Sequence, residues 1–193
     1  MRVRRAGAAD APVLAEVAAR TFPLACPPTL DDASIAAFVT DSLNPARFAA
    51  YLADPARVLL LAEEELGGAA RAVGYTMLVH DSAAPGETDP AGEPDQPGGP
   101  PSTAELSKCY IDAAYQGTGL ADVLLTATLD VARASGPDRV WLGTNRVNGR
   151  ARRFYARHGF TVVGARQFRV GDVLEDDVVM ALVFASTART VAE

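Results

Sequence analysis

The hydrophobic and polar positions of the first half of the chain follow two periods, one helical and one of strands. The apolar residues of "DDASIAAFVTDSL" and "NPARFAAYLAD" recur at helical spacing, and an earlier helix is predicted to open at Asp10 after the short strand "MRVRRA". "RVLLLAEEE" and "AVGYTMLVH" are aliphatic and β-branched runs, separated by the turn signal "LGGAAR". This half predicts helices combined with largely antiparallel strands.

The second half alternates the two periods. "AELSKCYI" and "RVWLGTN" are predicted strands, and the helical patterns "GLADVLLTATLDVARAS" and "NGRARRFYARHG" each follow one of them. "FTVVGARQFRV" and "DVVMALVF" are predicted to form two strands around a turn at Gly171–Asp172. The element order indicates a mixed α/β fold.

Residues 81–103, "DSAAPGETDPAGEPDQPGGPPST", interrupt this pattern with proline, glycine, small residues and acids. Such a segment buries too little apolar surface to offset the entropy of ordering it, so a flexible surface loop is predicted. The flanking runs are typical of neighbouring strands, which favours an insertion in a hairpin over a domain linker. We therefore expect one domain over residues 1–193, with a loose tail at 186–193.

Composition and charge narrow the class of protein. The chain has 193 residues and a net charge of −6, with an isoelectric point near 5.0. This acidic balance argues against a nucleic-acid partner and is compatible with a cationic small substrate. No run suits a membrane span or a leader peptide, and Cys26 and Cys109 have no metal-ligand spacing, so we expect a cytoplasmic protein without a metal.

The loop "YQGTGLAD" connects a predicted strand to a predicted helix. The first N–H groups of a helix have no intrahelical acceptor and carry partial positive charge, so a phosphate or pyrophosphate suits this position. Gly117 and Gly119 would let the backbone approach such an anion; the alternative is an ordinary tight turn. No Lys-Ser/Thr pair follows Gly119, which disfavours an ATP or GTP loop, and the three-glycine dinucleotide pattern is missing.

The stretch "VNGRARRFYARHGF" contains a second candidate site. Asn148 is a natural N-cap whose amide remains able to contact a ligand, and Gly159 is a C-cap. Tyr155 is a phenol on the same helical stripe and can donate a proton where its face lines a cleft. The alternatives are a plain cap for Asn148 and a core aromatic for Tyr155.

Together the motifs Q-x-x-G-x-A and N-x-x-A-x-x-F-Y-x-x-x-G-F resemble those of the GCN5-related N-acetyltransferases, the GNAT superfamily. The resemblance implies a twisted, mostly antiparallel sheet of six to seven strands with about four helices, and transfer of an acetyl group from acetyl-CoA to an amine. It implies Tyr155 as the acid that protonates the departing thiolate. It also implies that the pantetheine arm, the pyrophosphate and the rest of the cofactor contact Cys109, Tyr110, Ile111, Gln116, Gly117, Thr118, Gly119, Leu120, Ala121, Asp122 and Asn148.

Attack by an amine also requires a base, because most amines are protonated at neutral pH. Glu105 occupies the place of the catalytic glutamate of some GNAT enzymes, and strand alternation would put it on the same face as Cys109 and Ile111. Some GNAT enzymes instead carry a glutamate on the later strand. This chain has Gly143 there, so that position supplies no base. The acidic run at 63–65 and His80 are weaker candidates, and a solvated carboxylate is the alternative for Glu105.

The tail and "WLGTN" resemble most closely the bacterial spermidine/spermine N-acetyltransferases, a resemblance that implies a polyamine as acceptor. Acceptor choice follows fold less closely than cofactor choice does. An antibiotic or a peptide amino group therefore remains an alternative, as does a sensor that binds CoA without turnover. One of the arginines of "NRVNGRARRFYAR" is a candidate for the 3′-phosphate of CoA. Dimers are common among such enzymes, and the last strands offer contact edges for a homodimer, although the sequence does not determine the oligomeric state.

Overall fold

The computed structural model describes residues 1–85, 102–170 and 173–184. Its strands are β1 (Arg2–Arg5), β2 (Arg57–Leu66), β3 (Ala69–His80), β4 (Thr103–Ile111), β5 (Arg139–Asn145), β6 (Thr161–Val170) and β7 (Val173–Val183). Its helices are α1 (Ala11–Thr21), α2 (Asp32–Ser42), α3 (Pro45–Ala53), α4 (Leu120–Ser135) and α5 (Gly149–Arg157). The mixed α/β prediction is confirmed, with five α-helices in these ranges where about four were expected.

All seven strands join one sheet in the order β1-β2-β3-β4-β5-β7-β6. Every neighbouring pair is antiparallel except β4 and β5, which are parallel. β3 and β4 pair directly, as predicted for the two strands that flank the proline- and glycine-rich segment. Most of that segment, together with the predicted turn at Gly171–Asp172 and the predicted tail at 186–193, lies outside the described residues.

The central strands are continuously apolar because both faces of the sheet are covered. In β2, Leu59 and Leu61 pack into one core with α1 and α3, whereas Val58 and Leu60 pack into a second core with α4 and α5. A strand that is buried on both faces loses the alternation of polar and apolar residues. The run "RVLLLAEEE" shows this pattern.

Helix α4 crosses the sheet on the second core. Leu120, Leu124 and Leu125 are among its buried side chains. Residues three or four positions apart lie on the same face of a helix, because one helical turn takes about 3.6 residues. Buried Thr128 shares a hydrogen bond of 2.7 Å with Thr76 of β3, which fixes the helix to the sheet. Gly119 and Gly136 flank the helix with φ angles of +88° and +89°.

Candidate active site

The parallel strands β4 and β5 lie side by side over only three residues each. Residues 103–105 pair with residues 139–141. Beyond them β4 continues along β3, and β5 continues along β7. The two strands therefore leave a gap in the middle of the sheet, and a cavity opens from it on each side.

A β-bulge interrupts β4 at this gap. Lys108 pairs with Met77 of β3 and Leu106 pairs with Leu78, so Ser107 is an extra residue without a partner. Ser107 lines both cavities. Bulges are common beside active sites, since they aim side chains in directions that a regular strand does not allow.

The bulge makes one prediction wrong. Leu106 packs in the core under α4, and Cys109 and Ile111 pack against that same core. Glu105 is the neighbour of Leu106 and points to the other face, towards Arg166. Regular alternation would have placed Glu105 with Cys109, but the inserted residue reverses the pattern.

The first cavity, of about 430 Å³, is enclosed by β4, the loop before α4, and α5. It collects most of the residues predicted to contact a cofactor. Thr118 and Leu120 are not among the residues that line it, because Thr118 is exposed on the turn and Leu120 is buried in the core. The predicted residues that do line it are Cys109, Tyr110, Ile111, Gln116, Gly117, Gly119, Ala121, Asp122, Asn148 and Tyr155.

The loop before α4 has the geometry of an anion site. Gly117 and Gly119 adopt positive φ angles of +81° and +88°, and a Cβ at either position would meet no atom within 4 Å. Glycine is therefore required by backbone conformation rather than by crowding. The N–H of Thr118 bonds to Tyr115, whereas those of Gly117 and of residues 119–122 have no acceptor in the described ranges.

Tyr155 lies on α5, where it packs in the second core and also lines the first cavity. Phe154 and Phe160 pack against the ring at centroid distances of 5.2 and 5.7 Å. Its hydroxyl lies beside the thiol of Cys109. Burial, with a smaller effect of Cys109, raises the pKa of Tyr155 well above its ordinary value, so the phenol keeps its proton at neutral pH.

Asn148 caps α5 as predicted. Its Oδ1 accepts a hydrogen bond of 3.0 Å from the N–H of Ala151. Its Nδ2 has no acceptor among the described residues, and Asn148 lines both cavities. The amide is thus placed to donate to a ligand in the gap.

The second cavity, of about 180 Å³, lies on the opposite side of the gap. Phe22 and Phe38, stacked at 4.6 Å, form part of one wall with Phe168. The other wall carries carboxylates and includes Glu105. Both cavities share the following residues: Ala25, Ser107, Tyr110, Gly143, Thr144 and Asn148.

Comparisons with known proteins agree with this geometry. Residues 21–160 match the acetyltransferase (GNAT) family. The chain belongs to the GNAT acetyltransferases. It is 45% identical over 171 residues to an uncharacterized N-acetyltransferase of Mycobacterium tuberculosis, covering 89% of this chain and 96% of the relative.

Solved structures share the GNAT fold. The PaiA N-acetyltransferase of Thermoplasma acidophilum, in complex with coenzyme A, has a TM-score of 0.69 at 16% identity, over 95% of this chain and 98% of its own. The ribosomal-protein-S18-alanine N-acetyltransferase of Escherichia coli has a TM-score of 0.64 at 16% identity, over 100% and 99%. The family match and the mycobacterial relative make the chain an acyltransferase, and the finer resemblance to polyamine acetyltransferases stays a prediction.

Glu105 of this GNAT acetyltransferase lines the second cavity and not the first. One carboxylate oxygen accepts a long hydrogen bond of 3.4 Å from Ser82, and the other lies 3.6 Å from a guanidinium nitrogen of Arg166. The predicted base thus lies beside the gap with a cation next to it.

Arg166 is a site residue that sequence reasoning missed. Its guanidinium also lies 3.3 Å from Asp177 of β7, and a side chain at Gly143 would collide with it. Burial raises the pKa of the Asp177 carboxyl, and Arg166 opposes that rise. The sequence did contain a signal for this pair. If the two strands are joined by the predicted two-residue turn at Gly171–Asp172, their register places Arg166 opposite Asp177, as observed.

Arginines surround the mouth of the first cavity. Arg150, Arg153 and Arg157 of α5 line it, and Arg150 donates a hydrogen bond to the side chain of Gln116. Asp122 is the acidic exception and lies 3.2 Å from Nε2 of His158. The mouth is therefore basic in an otherwise acidic protein.

The weaker candidates for the base lie away from the gap. Glu63 bonds to Arg4 at 2.7 Å, and Glu64 accepts a hydrogen bond from Tyr115. The residues that line the two cavities do not include the acidic run at 63–65 or His80. Glu105 is the one predicted base that the fold brings to the gap.

Two kinds of feature are missing from residues 1–85, 102–170 and 173–184. No helix there is long and apolar enough to cross a membrane. His, Cys, Asp and Glu side chains in the same ranges form no group of three that could hold a metal ion.

Proposed function

We propose that this chain transfers the acetyl group of acetyl-CoA to the primary amine of a small molecule. The observation that carries the proposal is the gap between β4 and β5, where a larger cavity and a smaller cavity share Ser107 and Asn148. A cofactor can enter from one face of the sheet and an acceptor from the other. Such an arrangement would hold the two reactants next to each other at the gap.

The first cavity fits acetyl-CoA. The unpaired N–H groups of Gly117, Gly119 and the first turn of α4 suit a pyrophosphate. Arg150, Arg153 and Arg157 at the mouth suit the further phosphate of CoA. The open edge of β4 at residues 109–111 faces the cavity and suits the amides of a pantetheine arm.

Acetyl-CoA supplies an activated thioester, and the chain supplies proton transfers. Tyr155 holds its proton at neutral pH next to Cys109 in the cavity, so the phenol is placed to donate to a leaving thiolate. Glu105 lies on the acceptor side of the gap, where it can take a proton from the attacking amine directly or through water. The proton donor therefore lines the first cavity, and the proton acceptor lines the second.

The second cavity supports a small acceptor. Drug-sized ligands occupy pockets of about 300–1,000 Å³, and this one has about 180 Å³. The carboxylate of Glu175, which lines this cavity, accepts hydrogen bonds only from the neutral Thr29 and Asn145 among the described residues. A polyamine fits this arrangement, because a distal ammonium can pair with Glu175 while the aliphatic chain lies along the aromatic wall.

An antibiotic amine or a peptide amino group is the alternative acceptor, and a non-catalytic CoA sensor is the alternative function. The Escherichia coli structural neighbour is named for acetylating an alanine of a ribosomal protein, which makes an alanine-led peptide a useful probe. The arrangement of Tyr155 and Glu105 around the gap disfavours the sensor.

The test is release of CoA thiol from acetyl-CoA in the presence of spermidine, an aminoglycoside and an alanine-led peptide, with calorimetric titration of acetyl-CoA alongside. We expect binding and amine-dependent release, fastest with spermidine. Binding without release from any amine would favour the sensor. Absence of binding would refute the proposed function.

A further inference from the structure

Lys108 is the only lysine in the chain, and it lies beside the point where the two cavities meet. It directly follows the bulge residue Ser107, which lines both cavities. Lys108 is among the residues that line the second cavity, on the side from which we expect the acceptor to enter. Lys108 thus lies on the acceptor side of the gap, and its amine can reach the gap by rotation of the long side chain.

The surroundings of Lys108 leave its ammonium poorly stabilised. Nζ lies 5.5 Å from the ring centroid of Tyr51 on α3, and β3 offers the neutral Met77 opposite. Arg57 of β2 repels the charge, whereas Glu105, which lies on β4 with Lys108, attracts it. Burial dominates and lowers the pKa of Lys108 to about 8.

We propose that Lys108 is a self-acetylation site, modified by acetyl-CoA bound in the first cavity. The proposal rests on the proposed function, because it requires the thioester to lie at the gap. The neutral Nζ attacks the thioester carbonyl, a C–N bond forms and the C–S bond breaks. The surplus proton on nitrogen passes to Glu105 or water, and the thiolate takes a proton from Tyr155, so the products are N-acetyl-lysine and CoA thiol.

Lys108 should react faster than an ordinary exposed lysine would, because a larger fraction of its amine is neutral. At pH 7 a group with a pKa of about 8 is roughly one-tenth neutral, whereas one at 10.5 is neutral in only about three molecules in ten thousand. The neutral fraction differs by roughly 300-fold. Placement next to the thioester adds the advantage of an intramolecular reaction.

The experiment uses the wild-type chain with acetyl-CoA and no added amine. Mass spectrometry after trypsin should show acetylation in a peptide spanning residues 72–133, because acetyl-lysine is not cleaved and the flanking cleavage sites are Arg71 and Arg133. The amino terminus lies in a different peptide. Hydroxylamine treatment removes any acetyl group carried by Cys109 and leaves the lysine amide intact.

We expect acetylation of Lys108 at least tenfold faster in the folded chain than in the same chain unfolded in urea. The rate should rise about tenfold per pH unit below pH 8 and level off above it, because the amine becomes neutral as the pH rises through its pKa. The variant Lys108→Arg, which contains no lysine, should show acetylation only at the amino terminus.

Two results would overturn the proposal. The first is an unmodified Lys108 peptide, or a rate equal to that of the unfolded chain, while calorimetry shows acetyl-CoA bound; the proposed function would survive it. The second is failure of acetyl-CoA to bind, which would refute the proposed function as well.

Discussion

The two glycines that flank α4 allow cofactor binding to be separated from backbone strain. Gly119 precedes the helix at φ +88° and lines the first cavity, whereas Gly136 follows the helix at φ +89° and does not line it. A Cβ at either position meets no atom within 4 Å. Alanine at either site therefore introduces the same strain, and only one site is next to the proposed pyrophosphate.

The magnitude of the shared effect follows from the left-handed conformation. Placing alanine there costs about 1–2 kcal/mol. In a chain of this size each kcal/mol lowers the melting temperature by about 2–4 °C. Both Gly119→Ala and Gly136→Ala should therefore melt about 2–8 °C below the wild type in a thermal unfolding scan without ligand.

The effect on binding should differ between the two variants. If the backbone at position 119 of the Gly119→Ala variant relaxes to a negative φ, the N–H groups of the loop move away from the anion. The loss of one hydrogen bond to a charged group costs about 1.5–3 kcal/mol. The affinity of Gly119→Ala for acetyl-CoA should fall roughly 10- to 150-fold by calorimetry. That of Gly136→Ala should match the wild type. Equal affinities in both variants would refute the assignment of the loop as the pyrophosphate site.

Two further predictions concern charged side chains. Arg166→Met should lower the free energy of unfolding in urea by roughly 2–4 kcal/mol, because it leaves buried Asp177 without its cation, and the added change Asp177→Asn should restore most of the loss; no recovery would contradict the pairing. Asp10→Asn should cost about 1–2 kcal/mol at neutral pH, because hydrogen bonds from Arg4 lower the pKa of Asp10. A carboxyl whose pKa is lowered in the folded state stabilises the fold at pH values above its ordinary pKa of 3.8 and loses that contribution as the pH falls. The difference in unfolding free energy between Asp10→Asn and the wild type should therefore shrink below about pH 4 in urea titrations. A difference that stays constant would contradict this role of Asp10.

The fold and the cofactor side of the site could be predicted from sequence because their signals are local. Positive φ at Gly117 and Gly119 and the cap at Asn148 each depend on a few consecutive residues. Strand runs and helical spacing likewise reflect burial of nearby side chains. These features do not require knowledge of which strands are neighbours.

The acceptor side could not be predicted because its features depend on contacts between distant segments. The bulge at Ser107 is set by pairing with β3, and it moved Glu105 away from the predicted face. Arg166 fills the space above Gly143, so the glycine that suggested a missing glutamate makes room for an arginine from another strand. Neither contact leaves a periodic trace in the sequence.

The most direct test of acetyl transfer at the gap compares the wild type with Tyr155→Phe under the same conditions. Phenylalanine keeps the ring packing against Phe160 and removes only the hydroxyl that lies beside Cys109. We predict an unchanged affinity for acetyl-CoA and a kcat for amine-dependent thiol release lower by about 10²–10⁴-fold, the usual contribution of an acid or base. A variant with wild-type kcat would contradict the role of Tyr155 and the placement of the reaction beside it.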